Sequence, residues 1–383
     1  MEFMQSKSIK GKTPTEIKNE LEEIKSTGFK ATLAIILISN LENAASLCAI
    51  FNNEHIAVFG VSTSQKFTEQ GMVPDDIVVL LLDISPGYFR IVLKDNEAAG
   101  SVYDAAYLVG EAGVQAFKNP GFIISSADFR MSGEEIIKGL TDAAGKETVI
   151  MGGVAGDPAD FSGIIFTNNT SCTKGILALV IDQDKVAING LAVSGWKPVG
   201  TTKKITKSEG PWIFTIDNEP ALDVIQRFLG KEIAADYKQK GLIPSDLGYP
   251  LQFERESGSI LMRPLLLMNP AEKSIMVGGD VKEGESFRFS LPPNFDAIDT
   301  VVNSTITVKE NTMPDADALI VFSCIGRLGS FGPMISTEIE GLAATWKKPM
   351  VGFFSLGEFG KLDEHRCEFH GTTVSWVALK ERN

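Results

Sequence analysis

The hydrophobic positions of this chain follow two rhythms, and the places where one gives way to the other outline most of its elements. Residues 13–26 read as a helix: Ile17, Leu21 and Ile24 recur at helical spacing, Thr13 caps, Pro14 suits the first turn, Glu16 supplies the reaching carboxylate and Gly28 stops it. A continuous β-rich run at 31–38, a helical pattern at 42–52 and a second buried run at 56–61 predict a β-α-β unit. The runs 77–84 and 88–93 flank Ser85-Pro86-Gly87 and predict a pair of antiparallel strands joined by a turn. An Ala-rich helix is expected over 97–117, then a strand at 122–125 and a helix at 133–144.

Beyond Val149 the texture changes to short apolar runs at 149–152, 163–166, 175–181 and 186–193, separated by Gly and Asp, which predict a meander. A polar stretch at 201–208, a strand at 212–216 and a helix at 220–229 ended by Gly230 follow. The polar segment 234–246 carries the expected domain boundary. After it, strands are expected at 260–267, 274–278, 286–291, 318–322, 350–354 and 372–379, with helices around 296–309 and 337–345. The expected fold is α/β (α+β): two domains, 30–230 and 231–380, with mixed, largely antiparallel sheets flanked by helices in αββα layers. Residues 1–29 read as an N-terminal helical extension. The similar element mixtures of the two parts permit an ancient duplication.

Composition narrows the function. A chain of 383 residues favours two domains over one or three, and 44% hydrophobic with 22% charged residues describes a folding chain. The formal charge of −13 repels phosphate backbones and anionic headgroups, so nucleic acid and membrane surfaces are disfavoured as partners. No secretory signal opens the sequence and no apolar run approaches the ~20 residues of a membrane span, so a cytoplasmic location is expected. Cys48, Cys172, Cys324 and Cys367 are widely scattered and read as free thiols.

Few motifs survive inspection. Gly11-Lys12-Thr13 lacks the P-loop's upstream glycine, since Ser6 stands there, and reads as a helix cap. Gly152-Gly153-Val154-Ala155-Gly156-Asp157 reads as a tight turn, the alternative being a close backbone approach to a ligand. His365, Cys367 and His370 lack a second half-site for zinc, and neither metal nor cofactor is expected; His55 reads as an ordinary loop residue. In Phe322-Ser323-Cys324-Ile325-Gly326-Arg327, a thiol at a strand end beside a positive charge is either an activated nucleophile or simply a small apolar residue. Asp157, Arg263, Arg327 and Glu358 adjoin apolar strands; an Arg with a carboxylate suits a zwitterion, although each residue alone reads as a structural ion pair.

Together these segments carry a resemblance. Gly152–Asp157, Gly195-Trp196-Lys197-Pro198-Val199-Gly200 and Thr215-Ile216-Asp217-Asn218-Glu219-Pro220-Ala221-Leu222 resemble the first domain of the FIST family (F-box and intracellular signal transduction proteins). Tyr249-Pro250-Leu251, Arg263-Pro264, Phe322–Arg327 and Gly352-Phe353-Phe354-Ser355-Leu356-Gly357-Glu358-Phe359-Gly360 look like its C-terminal domain. One departure is His370-Gly371-Thr372-Thr373, where the family tends to have Asn after the His. The resemblance implies a stand-alone sensory module that binds a small ligand, an amino acid or related metabolite, at the contact of its two domains, and hands the signal to a separately encoded partner. The expected site residues are Gly153, Asp157, Trp196, Arg263, Cys324, Arg327, Glu358 and His370. In that expectation Arg263 or Arg327 holds an anionic group, Asp157 and Glu358 supply acceptors, Trp196 forms a wall and Cys324 the floor. The alternatives are an enzyme using Cys324 with His370 as base, and a pure interaction module.

Overall fold

Strands such as Leu33–Ile38, apolar at every position, have to be covered on both faces, and the chain does this three times in the same way. A computed structural model describes residues 4–73, 77–127, 132–159, 162–230, 242–244, 249–255, 260–291, 294–361 and 366–382. The first unit runs β1 (Gln5–Gly11), α1 (Pro14–Ser26), β2 (Leu33–Ile38), α2 (Asn43–Asn53), β3 (Ala57–Ser62), a short hairpin of β4 (Lys66–Thr68) and β5 (Gly71–Met72), and β6 (Ile77–Asp83). The second runs β7 (Phe89–Asp95), α3 (Asn96–Ala99), α4 (Val102–Ala116), β8 (Pro120–Ala127), α5 (Gly133–Ala144), β9 (Ile150–Val154), the hairpin β10 (Ile165–Phe166) and β11 (Ser171–Cys172), and β12 (Gly175–Asp182).

The third unit opens with β13 (Val186–Val193) and is then interrupted. The insertion holds β14 (Pro198–Glu209), β15 (Trp212–Ile216), β16 (Glu219–Pro220), α6 (Ala221–Leu229), β17 (Ile243–Pro244), β18 (Leu251–Glu254), β19 (Ile260–Arg263), β20 (Leu265–Asn269), β21 (Ser274–Val277) and β22 (Ser286–Ser290). The unit resumes with α7 (Phe295–Asn311), β23 (Ala318–Cys324), α8 (Ile325–Phe331), α9 (Ile335–Trp346), β24 (Met350–Ser355), the hairpin β25 (Glu358–Gly360) and β26 (Glu368–His370), and β27 (Val374–Glu381).

The strand orders β1-β6-β2-β3-β10-β11, β7-β12-β8-β9-β25-β26 and β13-β27-β23-β24-β4-β5 are one pattern. In each sheet the third and fourth strands are parallel and every other pairing is antiparallel. Each unit gives its hairpin away: that of the first closes the third unit's sheet, that of the second closes the first's, and that of the third closes the second's. Every parallel pair thereby has its outer edge covered by a neighbour, and the exchange runs round a closed ring.

Glycine makes the exchange fit. Gly60, Gly152 and Gly352 occupy the same ladder position, opposite Phe166, Phe359 and Phe67 of the incoming hairpins. A Cβ on Gly60 would stand 2.1 Å from the Phe166 ring and one on Gly352 2.3 Å from the Phe67 ring. Gly60→Ala is therefore expected to lower stability by about 1–3 kcal/mol through overpacking, with Phe166→Leu added to it recovering part of the loss in urea denaturation. An unchanged midpoint for Gly60→Ala would show that the ring yields freely.

The three sheets face one another across a single apolar core, to which Leu37, Phe59, Ile123, Leu177, Phe322 and Phe353 all belong. The outer faces are covered by helices, with Ile17 and Phe51, Val109 and Leu140, and Ile339 and Trp346 in three separate cores. Thr13 accepts from Glu16 N–H and Pro14 opens α1, as its sequence predicts. The insertion has its own core around Ile213, Phe253, Ile275 and Phe287, with α6 packed on it.

The α/β class with mixed, largely antiparallel, helix-flanked sheets is thus the observed one, while the partition differs from the expected pieces. The two bodies are the three-sheet core and the insertion, and strands from both sides of residue 230 share two of the core's sheets and the insertion's own sheet. Residues 5–26 are the edge strand and helix of the first unit rather than an extension. The runs around Ser85-Pro86-Gly87 do not pair: β6 lies beside β2 and β7 beside β12, because this turn carries the chain between sheets. The expected meander is distributed over three sheets, and the polar 201–208 stretch lies within β14. Most of 234–246 lies outside the described residues. No helix among the described residues is long and apolar enough to cross a membrane.

Candidate functional site

The C-terminal ends of β23 and β24 bring a buried polar cluster to the inner face of the third sheet. Side chains alternate along a strand, so with Phe359 facing the helices its neighbour Glu358 faces inward, where it is fully buried. Thr373 donates to Glu358 Oε2 from its hydroxyl (2.9 Å) and from its backbone N–H (3.3 Å), and the Cys324 thiol also bonds the carboxyl. Ser355 Oγ lies 2.6 Å from Glu358 Oε1 and 3.2 Å from the Ser323 carbonyl. A hydroxyl has one proton, and the shorter of the two contacts has Ser355 donating it to Glu358. Burial pushes the Glu358 carboxyl up to about 8, against the lowering effect of the Ser355 and Thr373 hydrogen bonds. The Cys324 thiol is raised well above its ordinary value, by burial first and by the Glu358 charge second.

This corrects the reading of Cys324 as a thiol activated by Arg327. Arg327 is fully buried and engaged elsewhere: it donates to both carboxylate oxygens of Glu338 on α9, to the Ser194 carbonyl (2.6 Å) and to the Thr372 carbonyl (3.2 Å). The rings of Trp196 and Phe331 each lie 5.0 Å from its guanidinium carbon. Arg327 is therefore a clamp joining β13's end, α8, α9 and the approach to β27, and Trp196 is one of its walls rather than a ligand wall.

Arg263, also expected to hold an anion, is engaged through its two terminal nitrogens, while its buried Nε has no partner. It pairs with Glu134 on α5 and donates to the carbonyls of Gly278 (3.1 Å) and Phe369 (3.0 Å), which ties the insertion to the core. Burial lowers its guanidinium to about 10, still charged at neutral pH. Asp157 is half-buried and caps a local turn through Ala159 N–H (2.8 Å). Gly152 and Gly153 lie inside β9 rather than in a turn; a Cβ on Gly153 would stand 2.9 Å from Ser355 Cβ, so the glycine lets two sheets approach.

His370 also keeps bonding capacity. It is 2% exposed, and its Nε2 lies 3.2 Å from the Gly360 carbonyl, so Nε2 carries the proton. Burial and the nearby Arg263 charge push its pKa down to about 3, so the ring is neutral. That leaves Nδ1 a bare acceptor, and it has no partner. His370 lines a cavity of about 180 Å³ between the insertion and the exchanged β25–β26 hairpin. Pro264, Leu266 and Met276 form one wall, Leu356 and Phe369 the other, with Ser132 and Asp280 polar groups of its lining.

The expected residues thus separate. Cys324 and Glu358 meet each other, Trp196 and Arg327 meet each other, His370 joins the cavity, and Gly153 and Asp157 stay outside it. The described contacts of Cys324 do not include His370, and Cys367 bonds Ile150 N–H (3.3 Å) rather than joining a metal set. His365 lies outside the described residues, among which no group of side chains is arranged to hold a metal ion. Sequence reasoning missed Ser355, Thr373 and Glu338, although Ser355 stands within a segment that carried the resemblance and Thr373 within the one that departs from the family. It also missed the cavity's insertion wall, whose residues have no chemical signature of their own.

The described residues thus form a multi-sheet α/β protein with a half-open cavity of about 180 Å³. Comparison with family models places it more closely: the FIST N domain matches residues 32–219 and the FIST C domain matches residues 221–361. The chain belongs to the FIST family, whose domains are sensory domains of signal transduction. Comparison with curated proteins gives no match. The two family models meet inside the insertion, so each covers parts of both bodies.

Proposed function

We propose that this protein is a cytoplasmic sensor that binds a small metabolite in the cavity between the insertion and the β25–β26 hairpin, and reports occupancy to a separately encoded signalling partner. The observation that carries this reading is the cavity itself: a half-open space of about 180 Å³ with an apolar wall from the insertion and a few polar groups in its lining. The insertion also breaks the threefold pattern here, covering one exchanged hairpin and leaving the other two as plain sheet edges. At ~30 Å³ per water in the liquid, the cavity holds about six waters' worth of ligand, the size of a small amino acid or related metabolite.

Signalling follows from the same contacts. Arg263 links β19 to α5 and β26 around the cavity, and Gly371 N–H bonds the Met262 carbonyl (3.0 Å), so a ligand that wedges or draws in the insertion alters the face shared with the hairpin. Thermal denaturation of the full chain against the twenty amino acids and small organic amines and acids is the direct test. At least one is expected to raise the melting temperature by several degrees at a hundredfold excess over its Kd. A flat response across the set would remove the reading.

A further inference from the structure

We infer that the cavity selects its ligand by an apolar tail, a hydrocarbon group of about four to six carbons, and that Leu266 and Met276 set that specificity. The inference rests on the sensor reading and deepens it. On β21, Ile275 and Val277 face the insertion's own core, so Met276 between them faces the other way. On β20, Leu265 and Met268 both belong to that core although they stand three positions apart, which the alternation of a regular strand does not allow. A β-bulge resolves the conflict: Leu265 lies opposite Val277 and Leu267 opposite Met276, so Leu266 is the extra residue, and it turns to the cavity with Met276. Two large apolar side chains thus stand on the face that the insertion's core does not use, and both remain half-buried.

The opposite wall is apolar as well. Leu356 and Phe369 stand across a space of about 180 Å³, which a helix ~10 Å across does not fit. An apolar cavity of ~150 Å³ admits benzene, so this one takes about as many carbons. The walls are held at a fixed spacing. The Pro264 ring is wedged at the seam between them: a Cβ on Gly371 would stand 2.4 Å from it and one on Gly278 2.7 Å. Arg263, through the Gly278 and Phe369 carbonyls, and Gly371 N–H, through the Met262 carbonyl (3.0 Å), tie the same seam. A preformed apolar slot needs little reordering when a tail enters it. Among the polar lining residues His370 is 2% exposed, whereas Ser132 Oγ and Asp280 meet at 3.4 Å and Asp280 is open to solvent. The ligand's polar head therefore lies on the Asp280 side, in water, and its charge plays no part in this selection.

The test titrates three homologous series calorimetrically into the full chain at fixed pH and ionic strength: amino acids from alanine to norleucine, carboxylates from propionate to hexanoate, and amines from propylamine to hexylamine. In whichever series binds, affinity is expected to rise about fourfold for each added methylene until the slot is full. The analogue of the tightest probe with a hydroxyl in place of its terminal methyl is expected to bind about tenfold more weakly. Met276→Ala is expected to move the best chain length up by about two carbons, with little change in the melting temperature of the protein alone, because the side chain lies outside the insertion's core. Affinity independent of chain length, or a hydroxyl analogue as tight as its parent, would overturn the apolar-tail inference while leaving the sensor intact. An unmoved optimum in Met276→Ala would overturn the assignment of that residue. Failure of every series, together with a flat response to the amino acids, would remove the sensor reading itself.

Discussion

Arg327→Ala is expected to destabilise the protein by about 3–5 kcal/mol, the usual consequence of removing one partner of a buried ion pair. The magnitude follows from what remains. Glu338 is 1% exposed and would be left buried without its counterion, while the Ser194 and Thr372 carbonyls would each lose a donor. Trp196 and Phe331 would face an emptied space between their rings. Glu338→Gln is expected to cost less, because the amide keeps one acceptor for the guanidinium. The paired change Arg327→Met with Glu338→Leu is expected to regain most of the loss, since an apolar pair carries no desolvation cost. Urea denaturation of the four proteins decides the matter, and a loss below about 1 kcal/mol for Arg327→Ala would mean that the clamp is solvated.

Glu358→Gln is expected to change the pH dependence of stability more than stability itself. The Glu358 acid sits at about 8 in the fold against an ordinary 4.5. Between those values the unfolded chain has lost the proton and the folded one retains it, so stability falls as pH rises. His370 acts in the opposite sense: held at about 3 against 6.5, it removes stability as pH falls below 6.5. The window from pH 6.5 to 8 therefore isolates Glu358, and about 1–2 kcal/mol is expected to be lost across it in the natural protein. Glutamine offers the same acceptor oxygen to Thr373 and has no proton to lose, so its stability is expected to stay flat there. Parallel slopes for the two proteins in chemical denaturation would show that Glu358 is already ionised.

These two residues show what the linear chain conveys. Arg327 and Glu358 both stand out in the sequence as charges beside apolar strands, and both were expected to touch a ligand. Their numbers of neighbours, however, are set by α9 and by residues 372–373, which lie 11 and 15 positions away in the chain. A side chain's spare bonding capacity is a sum over partners that spacing does not reveal. The cavity wall is harder still, because Leu266 and Met276 are ordinary strand residues and Pro264 a link between two strands until the insertion folds over the hairpin.

By itself the sequence determined the elements and the family. Helical spacing with Thr13, Pro14 and Gly28 is local chemistry, and so are the β-rich runs of Leu33–Ile38 and Ala318–Cys324. Family membership was legible because it resides in ordered short segments. Tertiary structure alone decided that the repeat is threefold rather than twofold, that the hairpins are exchanged, and that the bonds of Arg327 and Glu358 are taken up within the fold. The physical reason is common to all three. Strand pairing and hydrogen-bond satisfaction join residues tens to hundreds of positions apart, as Phe67 with Gly352 and Gly60 with Phe166 do, and periodicity along the chain records only what happens within a few turns of it.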